Sequence, residues 1–378
     1  MPSPSSSRLA YIDWTRGLAC LLMFQTHCYD SWLGGAARQS KFFMWSQVLG
    51  TLPAPLFLFL AGISFAIVTD KLRLKGLAAG QIARTTIRRG AEILALGLLF
   101  RLQEFAVSWG WAPGSDLLRV DILNAIGISM MLMGLGCWMV LSLTQTSRPR
   151  LILGLMAVGV AAIISLLSPL IWTTWRPRWL PWPLESYING VHNLNEPQSW
   201  LFPIFPWSAF AFVGLAVGLF LLSDGARKHE ARTFALAGAA GVGLIYLGRW
   251  LNARPVQLYA AIDFWHTSPN FFLIRVGWLL AISTGAYAWC RWGPGQRGFS
   301  PLIQLGQTSL LVYWVHIEFV YGRISILPKH AVDIPTASLG LVAIFFFMLG
   351  LSLLRTELKG RRVGALGWFR KPLKATSN

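Results

Sequence analysis

Six residues with chemical potential fall on one helical face within Tyr11–Asp30 (YIDWTRGLACLLMFQTHCYD). At 100° per residue, Asp13, Arg16, Cys20, Met23, His27 and Asp30 occupy an arc of roughly 100°. Arg16 and His27 would stand about 16 Å apart along such a helix. An imidazole at that place can take a proton from a nucleophile or act as the nucleophile itself, and Asp30, one turn on, is spaced to orient it. The bland alternatives are specific. Asp13 and Arg16 form an i,i+3 ion pair that makes the stripe tolerable in an apolar setting, and a His at a helix end is often just an interfacial polar group. The ion pair leaves His27 unexplained.

Other ionisable groups interrupt apolar segments. Arg101 and Glu104 close the third such segment, and Arg119, Asp121 and Asn124 open the fourth. In Gly306–Gly322 (GQTSLLVYWVHIEFVYG), Ser309, Tyr313 and His316 share a face, with Glu318 on another. Arg101 and Glu104 read as an internal salt bridge, whereas Asp121 and His316 have no counter-charge on their own helices. Arg84, Arg88 and Arg89 precede the third segment, with Glu92 one turn after Arg88. Three guanidiniums at a helix mouth either set topology or hold phosphates bidentately. No phosphate-binding loop, dinucleotide glycine pattern, nucleophile elbow or metal-ligand set is present, so no metal is expected. Cys20, Cys137 and Cys290 lie in apolar runs and Cys28 at a helix end, which gives no disulfide framework.

The elements that must position these groups follow from composition. Of 378 residues 54% are hydrophobic and 13% charged, with mean hydropathy +0.52. Soluble domains carry about a quarter charged residues, so this chain belongs in a bilayer. Apolar runs long enough to span recur at Leu9–Cys28, Leu52–Thr69, Gly90–Val107, Val120–Leu143, Leu151–Trp172, Ile204–Ser223, Thr233–Leu251, Phe271–Cys290, Leu302–Tyr321 and Ala337–Leu354. The expected fold is an all-α polytopic membrane helix bundle of about ten transmembrane helices with both termini cytoplasmic. In that orientation Lys71, Arg73, Lys75, Arg84, Arg88, Arg89, Arg148, Arg150, Arg227, Lys228 and Arg232 lie inside, and roughly two basic residues fall inside for each one outside. The net charge of +18 is then positive-inside bias, and a nucleic-acid partner is excluded. Residues 1–8 and 356–378 read as cytoplasmic tails of a single domain covering 1–378, and the N-terminus does not read as a cleaved signal peptide. Arg16 lies towards the cytoplasm and His27, Asp30, Arg101, Glu104, Asp121, Asn124 and His316 towards the outside. The longest outer loop, Thr173 to Pro203, carries Trp175, Trp179, Trp182, Tyr187, His192, Glu185, Glu196 and Trp200, and reads as an aromatic belt or as a lid on which a sugar ring stacks. Gly214 and Gly218 are spaced for close helix approach.

Two stretches, Tyr11–Asp30 and Pro55–Ala66 (PLFLFLAGISFA), resemble the first two helices of membrane acyltransferases. Arg119–Gly127 (RVDILNAIG) and Gly306–His316 (GQTSLLVYWVH) look like the bacterial relatives of heparan-alpha-glucosaminide N-acetyltransferase, and the similarity runs from Tyr11 to about Tyr321. The resemblance implies an enzyme of the bacterial inner membrane that takes an acetyl group from cytosolic acetyl-CoA to a sugar amine or hydroxyl, a glycan or amino sugar, on the far side. The wider superfamily includes the type-three acyltransferases, whose first helix carries an Arg, ten residues, then a functional His; Arg16 and His27 have that spacing. On this resemblance the CoA phosphates sit among Arg84, Arg88, Arg89 and Arg16, and the pantetheine arm follows the Arg16–His27 face. The thioester meets His27, with Asp30, as base or acyl carrier. Arg101, Glu104, Asp121, Asn124 and His316 face the acceptor. Two departures stand out: Asp30–Leu52 lacks the loop His of the lysosomal enzymes, and Arg84 and Arg88 are separated by three residues rather than the two of the type-three motif. The rival class is a transporter or flippase for a small polar or glycan substrate, against which stand the absence of inverted repeats and of any helix plainly broken in mid-membrane. An inactive relative kept as a scaffold ranks third.

Overall fold

The computed structural model describes residues 10–110, 114–144, 148–190, 202–254, 258–293 and 299–368. Helix accounts for 81% of them, and the only β contact among them is an isolated bridge between Leu33 and Val332, so the chain is all-α. The helices in order are α1 (Ala10–Trp32), α2 (Gly35–Arg38), α3 (Lys41–Gly50), α4 (Pro53–Leu74), α5 (Ala79–Val107), α6 (Ile122–Leu143) and α7 (Pro149–Thr173). They continue with α8 (Trp182–Asn189), α9 (Ile204–Leu221), α10 (Asp224–Lys228), α11 (Glu230–Asn252), α12 (Pro269–Trp292), α13 (Pro301–Gln307), α14 (Ser309–Val320) and α15 (Ile334–Trp368).

Every expected span coincides with helix, but among the described residues only seven stretches are long and apolar enough to cross a membrane. They are Lys41–Leu74, Asp116–Leu143, Pro149–Thr173, Ile204–Leu221, Glu230–Asn252, Pro269–Trp292 and Ile334–Gly360. The protein is therefore an integral membrane protein, and among the described residues seven segments, against the ten expected, are apolar enough by length and composition. The shortfall has physical causes. Asp13, Arg16 and Asp30 dilute α1, and α5 carries Arg84, Arg88, Arg89, Glu92, Arg101 and Glu104. The segment expected to run unbroken over Leu302–Tyr321 is instead split at Thr308, whose backbone (φ −119°, ψ 19°) leaves the helical path. The expectation was of no helix plainly broken in mid-membrane; this break lies near the start of its segment.

The chain divides into two compact units. One comprises Met1–Gly50 with Arg297–Asn378 and the other Thr51–Gln296. In the first, α1 and α13 touch backbone to backbone. A Cβ added at Gly17 would lie 1.8 Å from the Leu302 carbonyl oxygen, and one at Gly306 would lie 1.8 Å from the Asp13 carbonyl oxygen. Lipid tails give helices no hydrophobic reason to associate, so close van der Waals approach through small residues does this work. The last carbonyls of α1, which have no partner within the helix, accept from the chain before α15: His330 N–H donates to Ser31 O (2.9 Å), and Ala331 and Val332 donate to Trp32 O (3.0 Å each). The break at Thr308 is likewise satisfied from α15. Ser352 Oγ lies 2.5 Å from Thr308 Oγ1 and donates to Gln304 O at 3.0 Å.

In the second unit, α4 and α9 cross at Gly62 and Gly214, each of which would place a Cβ 2.0 Å from a carbonyl oxygen of the other helix (Ala211 and Phe59). Gly218 packs on Ala66 and Ile63, the close approach expected of the Gly214–Gly218 spacing. Buried Asp70 of α4 ties this unit together across helices. It takes Arg73 Nη2 at 2.8 Å and a two-pronged bond from Arg150 of α7, Nε to Oδ1 at 3.0 Å and Nη2 to Oδ2 at 3.1 Å.

Candidate active site

In the first unit the structure brings together two histidines that lie 289 positions apart in the sequence. His27 Nδ1 of α1 is 2.9 Å from His316 Nε2 of α14, with the rings stacked at 5.1 Å and 7°. His316 is wholly buried, between Phe24 (ring centroids at 5.0 Å) and Tyr313 (5.9 Å). Its Nδ1 lies 2.9 Å from the Val312 carbonyl oxygen. A carbonyl only accepts, so His316 Nδ1 carries a hydrogen, and in a neutral ring Nε2 is then the acceptor. His27 Nδ1 must therefore donate to it. The hydrogen-bond network thus assigns the lone pair of neutral His27 to Nε2.

Asp30 takes a different place from the one expected. Its carboxylate accepts from the Tyr321 hydroxyl at 2.9 Å and pairs with Arg38 Nη2 at 3.1 Å, while Arg38 Nη1 donates to the Asp30 carbonyl. Tyr321 lies edge-on to His27 at 5.3 Å. Asp30 was expected to orient the imidazole; His27 Nδ1 meets His316, and Asp30 approaches the ring by way of Tyr321. Towards the other end of α1, Arg16 Nη1 pairs with buried Asp13 Oδ1 at 2.9 Å, the i,i+3 pair read from the sequence.

The second unit holds the remaining sequence-derived residues. Asp121 caps α6, its Oδ1 accepting from the Ile122 N–H at 2.8 Å, a position favoured by the partial positive charge of a helix N-terminus. Its Oδ2 lies 3.4 Å from Arg101 Nε of α5. The counter-charge that Asp121 lacks on its own helix thus comes from Arg101 on the neighbouring one. Asn124 Nδ2 donates to the Tyr187 hydroxyl of α8 at 2.8 Å. Burial raises the Tyr187 phenol above its ordinary value, and Asp121 adds to this against the Asn124 hydrogen bond, so the phenol keeps its proton. Asn124 Oδ1 and Arg119 Nε are buried with no hydrogen-bond partner among the described residues, and the Arg101 ion pair is too poorly aligned to give Nε one. Such groups suit a polar ligand. On α5, Arg88 and Arg89 both pair with Glu92 at 3.2 and 3.1 Å, all three exposed, and Arg84 is exposed one turn before them. His192, Glu196 and Trp200 of the expected outer loop lie outside the described residues.

Residues 8–254 match the family model described as heparan-alpha-glucosaminide N-acetyltransferase, catalytic. The chain belongs to the heparan-alpha-glucosaminide N-acetyltransferase family. No curated protein sequence matches it. Membership places it among membrane acetyltransferases, whose general donor is acetyl-CoA. The stretch matched to this N-acetyltransferase family contains Arg16, His27, Asp30, Arg84, Arg88, Arg89, Arg101, Glu104, Asp121 and Asn124. It stops well short of His316 and Tyr321, the residues packed against His27. Sequence reading missed Arg38, Tyr321 and the Asn124–Tyr187 bond. Arg38 lies beyond the end of α1, where helical periodicity no longer applies, and Tyr321 sits just past the end of α14, off the His316 face. Each is recognisable only once the chain has turned.

Proposed function

We propose that the protein is an acyl-CoA-dependent acyltransferase of the bacterial inner membrane. It moves an acetyl group from cytosolic acetyl-CoA to an amine or hydroxyl of a sugar on the extracytoplasmic side, with His27 as general base. The observation that carries this reading is the direction of the His27–His316 hydrogen bond, which leaves a basic lone pair on His27 Nε2. In the proposed step Nε2 takes the proton as the acceptor nitrogen or oxygen attacks the thioester carbonyl. The tetrahedral intermediate then expels the CoA thiolate, which takes that proton from Nε2. One carbon–sulfur bond breaks and one acyl–nitrogen or acyl–oxygen bond forms. Neutral His316 accepts from His27 Nδ1–H throughout and so steadies the imidazolium. Arg16, with Arg84, Arg88 and Arg89, is assigned to the donor. Arg101, Glu104, Asp121 and Asn124 are assigned to the acceptor, on their expected outer level and on the unsatisfied polar atoms among them. The chain is read as one transmembrane acyltransferase-like domain, 1–378. The test is whether purified protein, given acetyl-CoA and glucosamine, releases free CoA thiol and acetylates the sugar. A protein that leaves acetyl-CoA intact while proteoliposomes containing it take up sugar is a transporter.

Two further results follow from this reading. In a background with the four native cysteines replaced, a Trp179→Cys probe reacts with an impermeant maleimide added outside intact cells, and a Lys75→Cys probe stays silent. The reverse pattern overturns the assignment of donor and acceptor sides. Second, Arg88→Ala with Arg89→Ala weakens acetyl-CoA binding about tenfold or more, because a charge-assisted hydrogen bond to phosphate contributes ~1.5–3 kcal/mol. Their exposed pairing with Glu92 does not compete, since such surface pairs are worth about 0–1 kcal/mol. Unchanged binding, read by isothermal titration on folded protein, leaves these arginines with a topological role alone.

A further inference from the structure

The second unit contains a groove of about 480 Å³ between the ends of α4, α7 and α9, lined at one end by Arg73, Arg148 and Arg150. From sequence these arginines read only as markers of membrane topology. The structure gives them an arranged setting. Asp70 fixes Arg73 and Arg150, and Asp224, itself exposed, lies 3.6 Å from Arg150, so three guanidiniums face two carboxylates and the charged end stays positive.

The rest of the lining is apolar and changes character with depth. Leu155 and Val158 of α7 and Leu219 and Phe220 of α9 continue the wall away from the arginines. At about 1.5 Å per residue the groove runs from charged to purely apolar over roughly 10–12 Å of each helix. Leu155, Val158 and Phe220 are exposed, which on spanning helices means exposed to lipid. A soluble phosphate compound would match the charged end and leave the apolar wall unused. The occupant that matches both ends has an anionic phosphate and a hydrocarbon chain. Basic pockets between membrane helices are a recurrent way of holding such headgroups.

We propose that this groove binds an anionic phospholipid, its phosphate held by Arg73, Arg148 and Arg150 and an acyl chain lying along Leu155, Val158 and Phe220. The site is independent of the acyl-transfer reading and of its arginines on α5. Two variants attack it from opposite ends. Arg148→Gln removes charge without touching the Asp70 pairs. Gly154→Leu fills the groove, because a Cβ at Gly154 meets nothing within 4 Å, and it replaces a poor helix former with a good one.

The experiment is native mass spectrometry of the full chain released from nanodiscs of mixed phosphatidylglycerol and phosphatidylcholine, with thermal unfolding as a check on folding. Wild-type protein is expected to retain phosphatidylglycerol preferentially, Arg148→Gln to lose that retention by about tenfold, the loss expected for one charge-assisted contact, and Gly154→Leu to lose it because the new side chain occupies the groove. Should Arg148→Gln fail to fold, Gly154→Leu decides alone. Equal retention of both lipids, or retention unchanged in the folded variants, overturns the proposal. Displacement of the bound lipid by millimolar acetyl-CoA or inorganic phosphate also overturns it, by showing the groove to be a site for soluble phosphate.

Discussion

His27→Ala is expected to abolish acyl transfer while acetyl-CoA still binds. Loss of a general base lowers rates ~10²–10⁴-fold, and Ala at this site removes both the proton acceptor and the donor to His316. The loss should fall on kcat, with the donor's Kd little changed, because the arginines assigned to CoA are elsewhere in the sequence. His316→Phe keeps the stacking surface but removes the acceptor for His27 Nδ1–H. It frees the tautomer, and a smaller fall in kcat with a shifted pH profile is expected. Arg16→Lys keeps the charge and loses the planar fork, so a defect there points to bidentate recognition by Arg16. Near-normal transfer by His27→Ala would falsify the mechanism, and a variant that neither binds donor nor unfolds cooperatively would show His27 to be structural.

Gly306→Ala should leave little folded protein. A Cβ there would stand 1.8 Å from the Asp13 carbonyl oxygen, and the same distance separates a Cβ at Gly17 from Leu302 O. Overpacking typically costs ~1–3 kcal/mol because side chains can shift. Here the obstacle is backbone on both sides, so the cost belongs at or above the top of that range. Gly243→Ala is the matched control, since its Cβ would meet nothing within 4 Å. Melting followed by fluorescence-detected size exclusion should show a collapse of the monodisperse peak for Gly306→Ala and none for Gly243→Ala. Indistinguishable melting curves for the two would mean that α1 and α13 do not pack as described.

The existence of the helices was legible from the sequence because apolar runs of spanning length leave few other structures in lipid. Even the shared face of Asp13, Arg16, His27 and Asp30 needs only 100° per residue. Partnerships between helices were not legible, because they depend on which helices adjoin and how each is rotated. Asp121 showed no counter-charge within its own helix and found Arg101 on another. His27 and His316 could be set at one level but not paired, and Asp70 gave no sign that Arg150, 80 positions on, would grip it. The break at Thr308 was invisible for a different reason. Nothing in TSLLVYW forbids a continuous helix, and the turn is held by Ser352 of α15.

The first compact unit joins the opening stretch of the chain to its last, Met1–Gly50 to Arg297–Asn378, which has a consequence for biogenesis. During synthesis α1 leaves the ribosome with its ionised stripe and no α13, α14 or α15 to receive it. At roughly 5–20 residues per second, the intervening stretch of about 250 residues imposes a wait on the order of 12–50 s. Through that interval His27 has no His316, and the backbone seat of α1 on α13 is unformed. A nascent chain stalled before residue 300 holds every helix of the second unit and still lacks the His27–His316 pair, which forms only once residue 316 has been made.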